Sequence, residues 1–275
     1  MNKFYLCTIV KDFSDNYILE EYCKHYKKYN FEKAFILIHS ENNNAKRIEE
    51  IKSIFNQYFD TEFSYKVNKK YEIDFEGNFY TYSLNLLSIG EWLCIADIDE
   101  FIKIENIDSS FYELDHISGI LIDRVKSKEH QFDPNLNIFD NYSNNYFLYN
   151  KFKTSLPIKI PFIKKTKYKG TINNGHHSYI RSPLWGLFID KEGVPIYHFK
   201  WRENSISYFK KSLNNIMIKD RGGEKRWEEE IIFMIKMMGD SKFYELIKDS
   251  KLLNNYIEIL FRDPDWPEKT TIKLI

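Results

Sequence analysis

Cysteine is scarce in this 275-residue chain: Cys7, Cys23 and Cys94 are the whole complement. An odd, sparse set excludes a disulfide framework and fits a reducing compartment. No two of them form a C-x-x-C pair, so a structural zinc site is not expected. Long apolar runs are missing too, and nothing approaches the roughly 18 uninterrupted apolar residues of a membrane-spanning helix. The N-terminal MNKFYLCTIVKDF holds an apolar run too short for a secretory signal, with no small-residue cleavage site after it. The expectation is a cytoplasmic chain with at most peripheral contact at the inner face of a membrane. Excess charge of either sign is absent, since 40 basic residues balance 40 acidic ones. Without a net field to gather phosphates, nucleic acid is not an expected partner. There is no internal repeat, no low-complexity linker and no G-x-x-x-x-G-K-[ST] loop.

Aromatic side chains are abundant, with 22 Phe and 20 Tyr. Each buries a large area, so a chain of this length can build a sizeable core. Short apolar, β-branched runs at residues 4–10, 34–38, 64–67 and 92–96 predict buried strands. Between them, apolar residues at helical spacing predict helices over 16–29, 45–59 and 78–90, the last stopped by Gly90. This β-α alternation predicts a mostly parallel α/β sheet with helices on both faces. Ligands in such sheets sit beyond the C-terminal ends of the strands. Three places therefore matter: Lys11 to Asp15, His39 to Ser40, and Asp97 to Glu100. Further strands are expected at 119–125, 159–168, 186–189 and 194–199, with an irregular insertion over 132–150. Asp190 to Gly193 reads as a turn. Helices are expected at 205–219, 224–238, 241–248 and 251–261.

The strongest chemical signal is WLCIADIDEF. A buried strand delivers Asp97 and Asp99 to the ligand edge, and alternate residues of an extended chain face the same way. Paired carboxylates are hard oxygen ligands suited to Mg²⁺ or Mn²⁺. Such an ion can neutralise charge on a leaving diphosphate. A solvated acidic turn or a helix N-cap is the plainer alternative.

The opening IVKDFSDNYILEEYCKHYKKYNFEKAFIL resembles family 2-like and family 92-like glycosyltransferases. It shares their strand, a Lys after it (Lys11), a helix carrying Leu19, Glu20, Tyr22 and His25, and a second strand. WLCIADIDEF resembles their D-x-D-E-F segment through Asp97, Asp99, Glu100 and Phe101. GHHSYI (175–180) and IYHFKWRENSISYFKK (196–211) are similar to later segments of the same families. The likeness runs in order over residues 4–211. Two places depart from it: Asp12-Phe13 stands where the families have Asn-Glu, and His39-Ser40-Glu41 stands where an acidic residue follows strand two.

The resemblance implies a GT-A fold and a metal-dependent glycosyltransferase, inverting and hexosyltransferase-like. It would move a sugar from a nucleotide-diphosphate donor, UDP-sugar favoured, to a carbohydrate or lipid-linked hydroxyl, in bacterial surface polysaccharide synthesis. Residues 1–204 form the implied catalytic domain, with the nucleotide-sugar half at 1–104 and the acceptor-side half at 105–204. Residues 205–275 form a helical extension. Thr8, Val10, Lys11, Asp12 and His39 are the implied donor contacts. His198 is the implied third metal ligand beside Asp97 and Asp99, its imidazole being a common ligand. Lys200 and Arg202 follow as phosphate contacts. His176, His177 and Trp201 are the acceptor-side candidates, although Trp201 also suits a core and Asn173-Asn174-Gly175 suits a plain hairpin turn. Asp190 is a weak candidate for the base that an inverting transfer needs, with Glu192 beside it, and both also suit a turn. Arg221-Gly222-Gly223 reads as a loop capping a helix. The Ile231 to Met238 cluster reads as core or a homodimer face. A sugar nucleotidyltransferase is the first alternative, against which stands the lack of glycine in IVKDFSDN. A non-catalytic nucleotide-sugar-binding module is the second.

Overall fold

The computed structural model describes residues 3–67, 75–104, 114–126, 130–146, 158–168, 170–172, 176, 179–181, 192–202, 205, 256–259 and 270–274. The chain opens with strand β1 (Phe4–Lys11), helix α1 (Asn16–Lys27), β2 (Lys33–Ser40), α2 (Ala45–Asn56), β3 (Thr61–Val67), α3 (Phe75–Leu86) and β4 (Trp92–Ile95). β1, β2 and β3 pair in parallel, and β1 also pairs in parallel with β4. The expected β-α alternation is thus the observed one.

Period-two burial explains why this half needs helices on both faces. Leu6 and Val10 of β1, Ile36 and Ile38 of β2, and Trp92 and Cys94 of β4 share one core with α1 and α2. Cys7 and Ile9, Phe35 and Leu37, and Leu93 and Ile95 share the other core with α3. Strands buried on both faces read as continuous apolar runs. α1 is capped by Asp15, whose carboxylate accepts from the Ile18 N–H at 3.0 Å, satisfying one of the helix's orphan donors. Its Ile18, Leu19, Tyr22, Cys23 and Tyr26 are buried, a single helical stripe. α3 ends at Leu86, earlier than the glycine signal suggested. Gly90, at φ 95°, instead supplies the left-handed residue in the turn before β4.

β5 (Glu100–Ile102), β6 (His116–Val125), α4 (Ile138–Asn141), β7 (Asn144–Tyr146), β8 (Ile158–Lys164), β9 (Gly170–Ile172), β10 (Tyr179–Arg181), β11 (Glu192–His198), β12 (Tyr256–Ile259) and β13 (Thr270–Leu274) follow. The main sheet runs β12-β13-β11-β6-β8-β4-β1-β2-β3, with β5 on β11 and β7 on β6; β9 and β10 form a separate antiparallel pair. β8 is antiparallel to both β4 and β6, so the sheet is mixed. This is the mixed α/β sheet flanked by helices that the GT-A expectation described.

Several local expectations change. The stretch read as an irregular insertion contains α4 and β7, organised by the buried Asn141. Its amide donates to the Tyr17 hydroxyl and to the Asp133 and Leu136 carbonyls. The turn read at Asp190 to Gly193 does not hold at its second half, because β11 already begins at Glu192. Over 256–259 the expected helix is overturned: these residues form β12, antiparallel to β13. A short apolar run such as YIEIL does not separate period two from period 3.6, and β-branched Thr270, Thr271 and Ile272 supply a partner strand. The strand at 186–189 and the helices at 224–238 and 241–248 lie outside the described residues, as does all but residue 205 of the helix at 205–219. No helix among the described residues is long and apolar enough to cross a membrane.

Candidate functional site at the Asp97 turn

β1 lies between β2 and β4, so crossovers leave it on both sides, the arrangement that opens a crevice at the C-terminal strand ends. The β4 end stays pinned to β1, since the Ala96 N–H donates to the Cys7 carbonyl at 3.1 Å. Asp97 then extends the β4 parity of Leu93 and Ile95, toward α3. There its Oδ1 accepts from the Tyr80 hydroxyl at 3.0 Å.

The chain does not stay extended from Asp97 to Asp99. The Glu100 N–H donates back to the Asp97 carbonyl at 2.8 Å, closing a tight turn. The expected alternation therefore fails here, and the two aspartates meet different partners. The second arm of the turn, β5, is held from below by Tyr26. Its hydroxyl donates to the Glu100 carbonyl at 2.9 Å and accepts from the Ile102 N–H at 3.0 Å. β5 also pairs antiparallel with β11, in a register that sets His198 opposite Glu100. β6 flanks β11 on the other side and sets Asp123 opposite His198.

Two charged groupings result. In the first, His198 Nδ1 lies 2.9 Å from Asp123 Oδ1, while Nε2 lies 3.9 Å from Asp99 Oδ2. Asp123 thereby fixes the ring so that its other nitrogen faces Asp99. Burial alone would lower the His198 pKa, but the Asp123 hydrogen bond and the Asp99 charge raise it above its usual value. In the second grouping, the buried Lys159 ammonium donates to Asp97 Oδ2 at 2.8 Å and to Glu100 Oε1. His176 Nε2 lies 3.3 Å from both the ammonium and Glu100 Oε2. Burial would raise the Asp97 carboxyl, yet Lys159, His176 and Tyr80 hold it far below the ordinary carboxylate range. The two carboxylates in turn push Lys159 up against the effect of burial.

Asp97, Glu100 and His176 each offer a ligand atom within 4.8 Å of the others, a spacing able to hold a metal ion. Asp99 and His198 offer a second, half-open pair. Oxygen and imidazole donors suit Mg²⁺ or Mn²⁺ and do not choose between them.

Of the expected donor contacts, Lys11, Asp12 and His39 lie together at the neighbouring strand ends. The Asp12 N–H donates to the His39 carbonyl at 3.0 Å, and the Ser40 hydroxyl donates to Asp12 Oδ2 at 2.6 Å. Arg47, at the start of α2, ties the loop down by donating to the Asp12 carbonyl at 3.1 Å and to the Ser14 carbonyl. Lys11 is partly buried at the tip of β1, with its ammonium over the Phe13 ring. Thr8 and Val10 are buried within β1, and buried His39 packs on Phe75. The Lys200 ammonium lies 4.9 Å from the Trp201 ring centre. Trp201 is buried, the core alternative of its two readings. Arg202 is also buried and donates to the Phe199 carbonyl, with Asp15 at 3.6 Å. Of the histidine pair, His176 is described and lies at the site. His177, Asp190, Arg221 to Gly223 and the Ile231 to Met238 cluster lie outside the described residues. Glu192 starts β11, about 20 Å of extended strand from His198.

Sequence reasoning passed over Lys159, Asp123, Tyr80 and the Glu100 carboxylate. Register carries the first two. Cys94 lies opposite Phe162 in the antiparallel β4–β8 ladder, and continuing that ladder brings Asp97 opposite Lys159. Only a lysine inside the apolar run IKIPFI hinted at this, because a buried ammonium needs acidic partners.

No protein-family model matches the chain, and no match was found among curated proteins. Among solved structures, S. aureus TarS 1–349 is similar at a TM-score of 0.35 and 14% identity, over 91% of this chain and 76% of that 1–349 chain. The inositol-1-phosphate CTP transferase from T. maritima follows at 0.34 and 10% identity, over 60% and 71% of the two chains. A putative glucose-1-phosphate thymidylyltransferase from Bacillus anthracis has a TM-score of 0.30 and 12% identity, over 76% and 75%. Likenesses this remote carry no argument about activity, which rests on the site itself.

Proposed function

We propose that the chain is a metal-dependent glycosyltransferase that binds a nucleotide-sugar diphosphate at the Asp97–Asp99 turn. The observation that carries this reading is the facing pair Asp99 Oδ2 and His198 Nε2, 3.9 Å apart, with the far nitrogen of His198 tied to Asp123. A carboxylate-oriented imidazole beside a second carboxylate is a donor set that fits a hard divalent cation. A cation held there by Asp99 and His198 would neutralise charge on a leaving diphosphate.

The chain's own residues do the rest. Asp12, braced by Ser40 and Arg47, presents a carboxylate able to accept from a ribose or base. Lys11 at the β1 tip supplies a positive charge for phosphate. Asp97, engaged on both oxygens by Tyr80 and Lys159, is fixed in place, a preorganised acceptor rather than a mobile one. The acceptor side is assigned to the His176 end of the crevice. A carbohydrate or lipid-linked hydroxyl is its proposed occupant, and His177 and Asp190 remain proposed contributors to it. UDP-sugars are the favoured donors.

The test is a donor-hydrolysis screen of the purified chain across common nucleotide-sugars with Mn²⁺ or Mg²⁺. The expected result is metal-dependent release of nucleoside diphosphate from one donor class, UDP-sugars first. Release of pyrophosphate from a nucleoside triphosphate and a sugar phosphate, with no donor hydrolysis, would establish the nucleotidyltransferase alternative instead.

A further inference from the structure

The Asp97, Glu100 and His176 ligand atoms converge within 4.8 Å of one another, yet the space they surround is reached by a lysine. Lys159 comes from β8, the strand antiparallel to β4, and is 4% exposed. Its ammonium donates to Asp97 Oδ2 at 2.8 Å and to Glu100 Oε1, and stands 3.3 Å from His176 Nε2. All three candidate metal ligands therefore contact one buried, tethered cation. The surroundings hold it there. Tyr80 donates to the other oxygen of Asp97 at 3.0 Å. The His176 ring sits edge-on to Tyr80 at 5.8 Å. His176 itself keeps a left-handed backbone at φ 44° and a buried Nδ1 with no hydrogen-bond partner among the described residues. A non-glycine residue in that conformation is strained and persists where its surroundings demand it. An ammonium withdrawn from this site would leave the fully buried Glu100 carboxylate uncompensated, which is strongly unfavourable, and would take from the part-exposed Asp97 its charged partner. The lysine is therefore a fixed part of the cluster.

We propose that Lys159 is a positioning residue that takes the place of a metal ion in the Asp97–Glu100–His176 cluster. It closes that cluster to divalent cations and holds the Asp97 carboxylate still, leaving Asp99 and His198 as the cation-binding side. This rests on the metal-dependent reading above but fails separately from it.

The experiment counts Mn²⁺ ions bound to the full chain by electron paramagnetic resonance, in the wild type and in Lys159→Met, Lys159→Arg, Glu100→Gln and Asp99→Asn variants. The expected wild-type count is one ion, lost or weakened at least ~10-fold in Asp99→Asn. Lys159→Met opens the cluster and binds one ion more than the wild type, whereas Lys159→Arg, which keeps the charge, does not. If Lys159→Met does not fold, Glu100→Gln decides alone: it leaves the wild-type Mn²⁺ affinity within about threefold when the cluster is closed, and removes the ion when the cluster holds it. An unchanged count in folded Lys159→Met, or loss of the wild-type ion in Glu100→Gln, overturns the role of Lys159. Retention of the ion in Asp99→Asn overturns the assigned cation side. A wild type that binds no ion, with Lys159→Met gaining its first, would sink the metal-dependent reading while supporting the tethered cation.

Discussion

Asp123 has no motif to mark it, yet it decides how His198 can act. A histidine hydrogen-bonded through Nδ1 keeps one tautomer and one ring orientation, so Nε2 is presented to Asp99 rather than free to rotate. Removing such a partner typically lowers metal affinity 10–100-fold. Asp123→Asn should therefore weaken Mn²⁺ binding by about tenfold or more, read by calorimetric titration. Equal affinities would remove Asp123 from the site. The raised pKa of His198 carries a pH dependence with a definite sign. A histidine whose folded value lies above its usual 6.5 adds stability that is fully present below that value and lost as pH rises through the folded one. Metal-stripped wild-type protein should thus lose more stability between pH 6 and pH 8 than Asp123→Asn does, as measured by urea unfolding. Parallel losses in the two proteins would contradict the assignment.

Among the elements, the short β5 matters most, because it converts a motif into a site. On its own it is too small to be stable. α1 anchors it through Tyr26, and β11 anchors it through backbone pairing. Tyr26→Phe would leave a buried carbonyl and a buried N–H at the base of the Asp97 turn without their partner. Such groups cost about 1–3 kcal/mol each when left unsatisfied. The expected outcome is a loss of stability of about that size together with weaker Mn²⁺ binding, seen by thermal unfolding and titration on one preparation. Unchanged stability would mean that β5 is held without Tyr26, by β11 and by His25, whose Nε2 lies 2.9 Å from the Ile102 carbonyl.

Elements also show where the sequence was readable. Strands β1, β2 and β4 and helices α1 and α2 were legible because each writes its own period: continuous apolar runs buried on two faces, and single stripes on helices. WLCIADIDEF was legible as a candidate site for the same reason, a buried strand running into acidic residues. β5 was not legible, since Glu100, Phe101 and Ile102 have no period of their own and owe their strand to β11. β12 was misread because its four residues fit either period. Lys159 and Asp123 were out of reach, as they meet Asp97 and His198 across 62 and 75 residues of chain. Such contacts follow from strand register, which local patterning does not encode.

For the whole molecule, the balanced charge and the mixed sheet point the same way. The chain has no net charge to gather a polyanion, and the proposed reading gives recognition to a few groups at one sheet edge. On the proposed reading, cation and diphosphate would be mutually dependent ligands, because a cation held there would offset carboxylate charge that otherwise repels phosphate. The most direct test is calorimetry of UDP binding with and without Mn²⁺ in wild type and Asp99→Ala. The account predicts that Mn²⁺ tightens wild-type UDP binding at least ~10-fold, and that Asp99→Ala abolishes this gain while the protein stays folded. UDP binding that gains as much from Mn²⁺ in Asp99→Ala as in the wild type would contradict it.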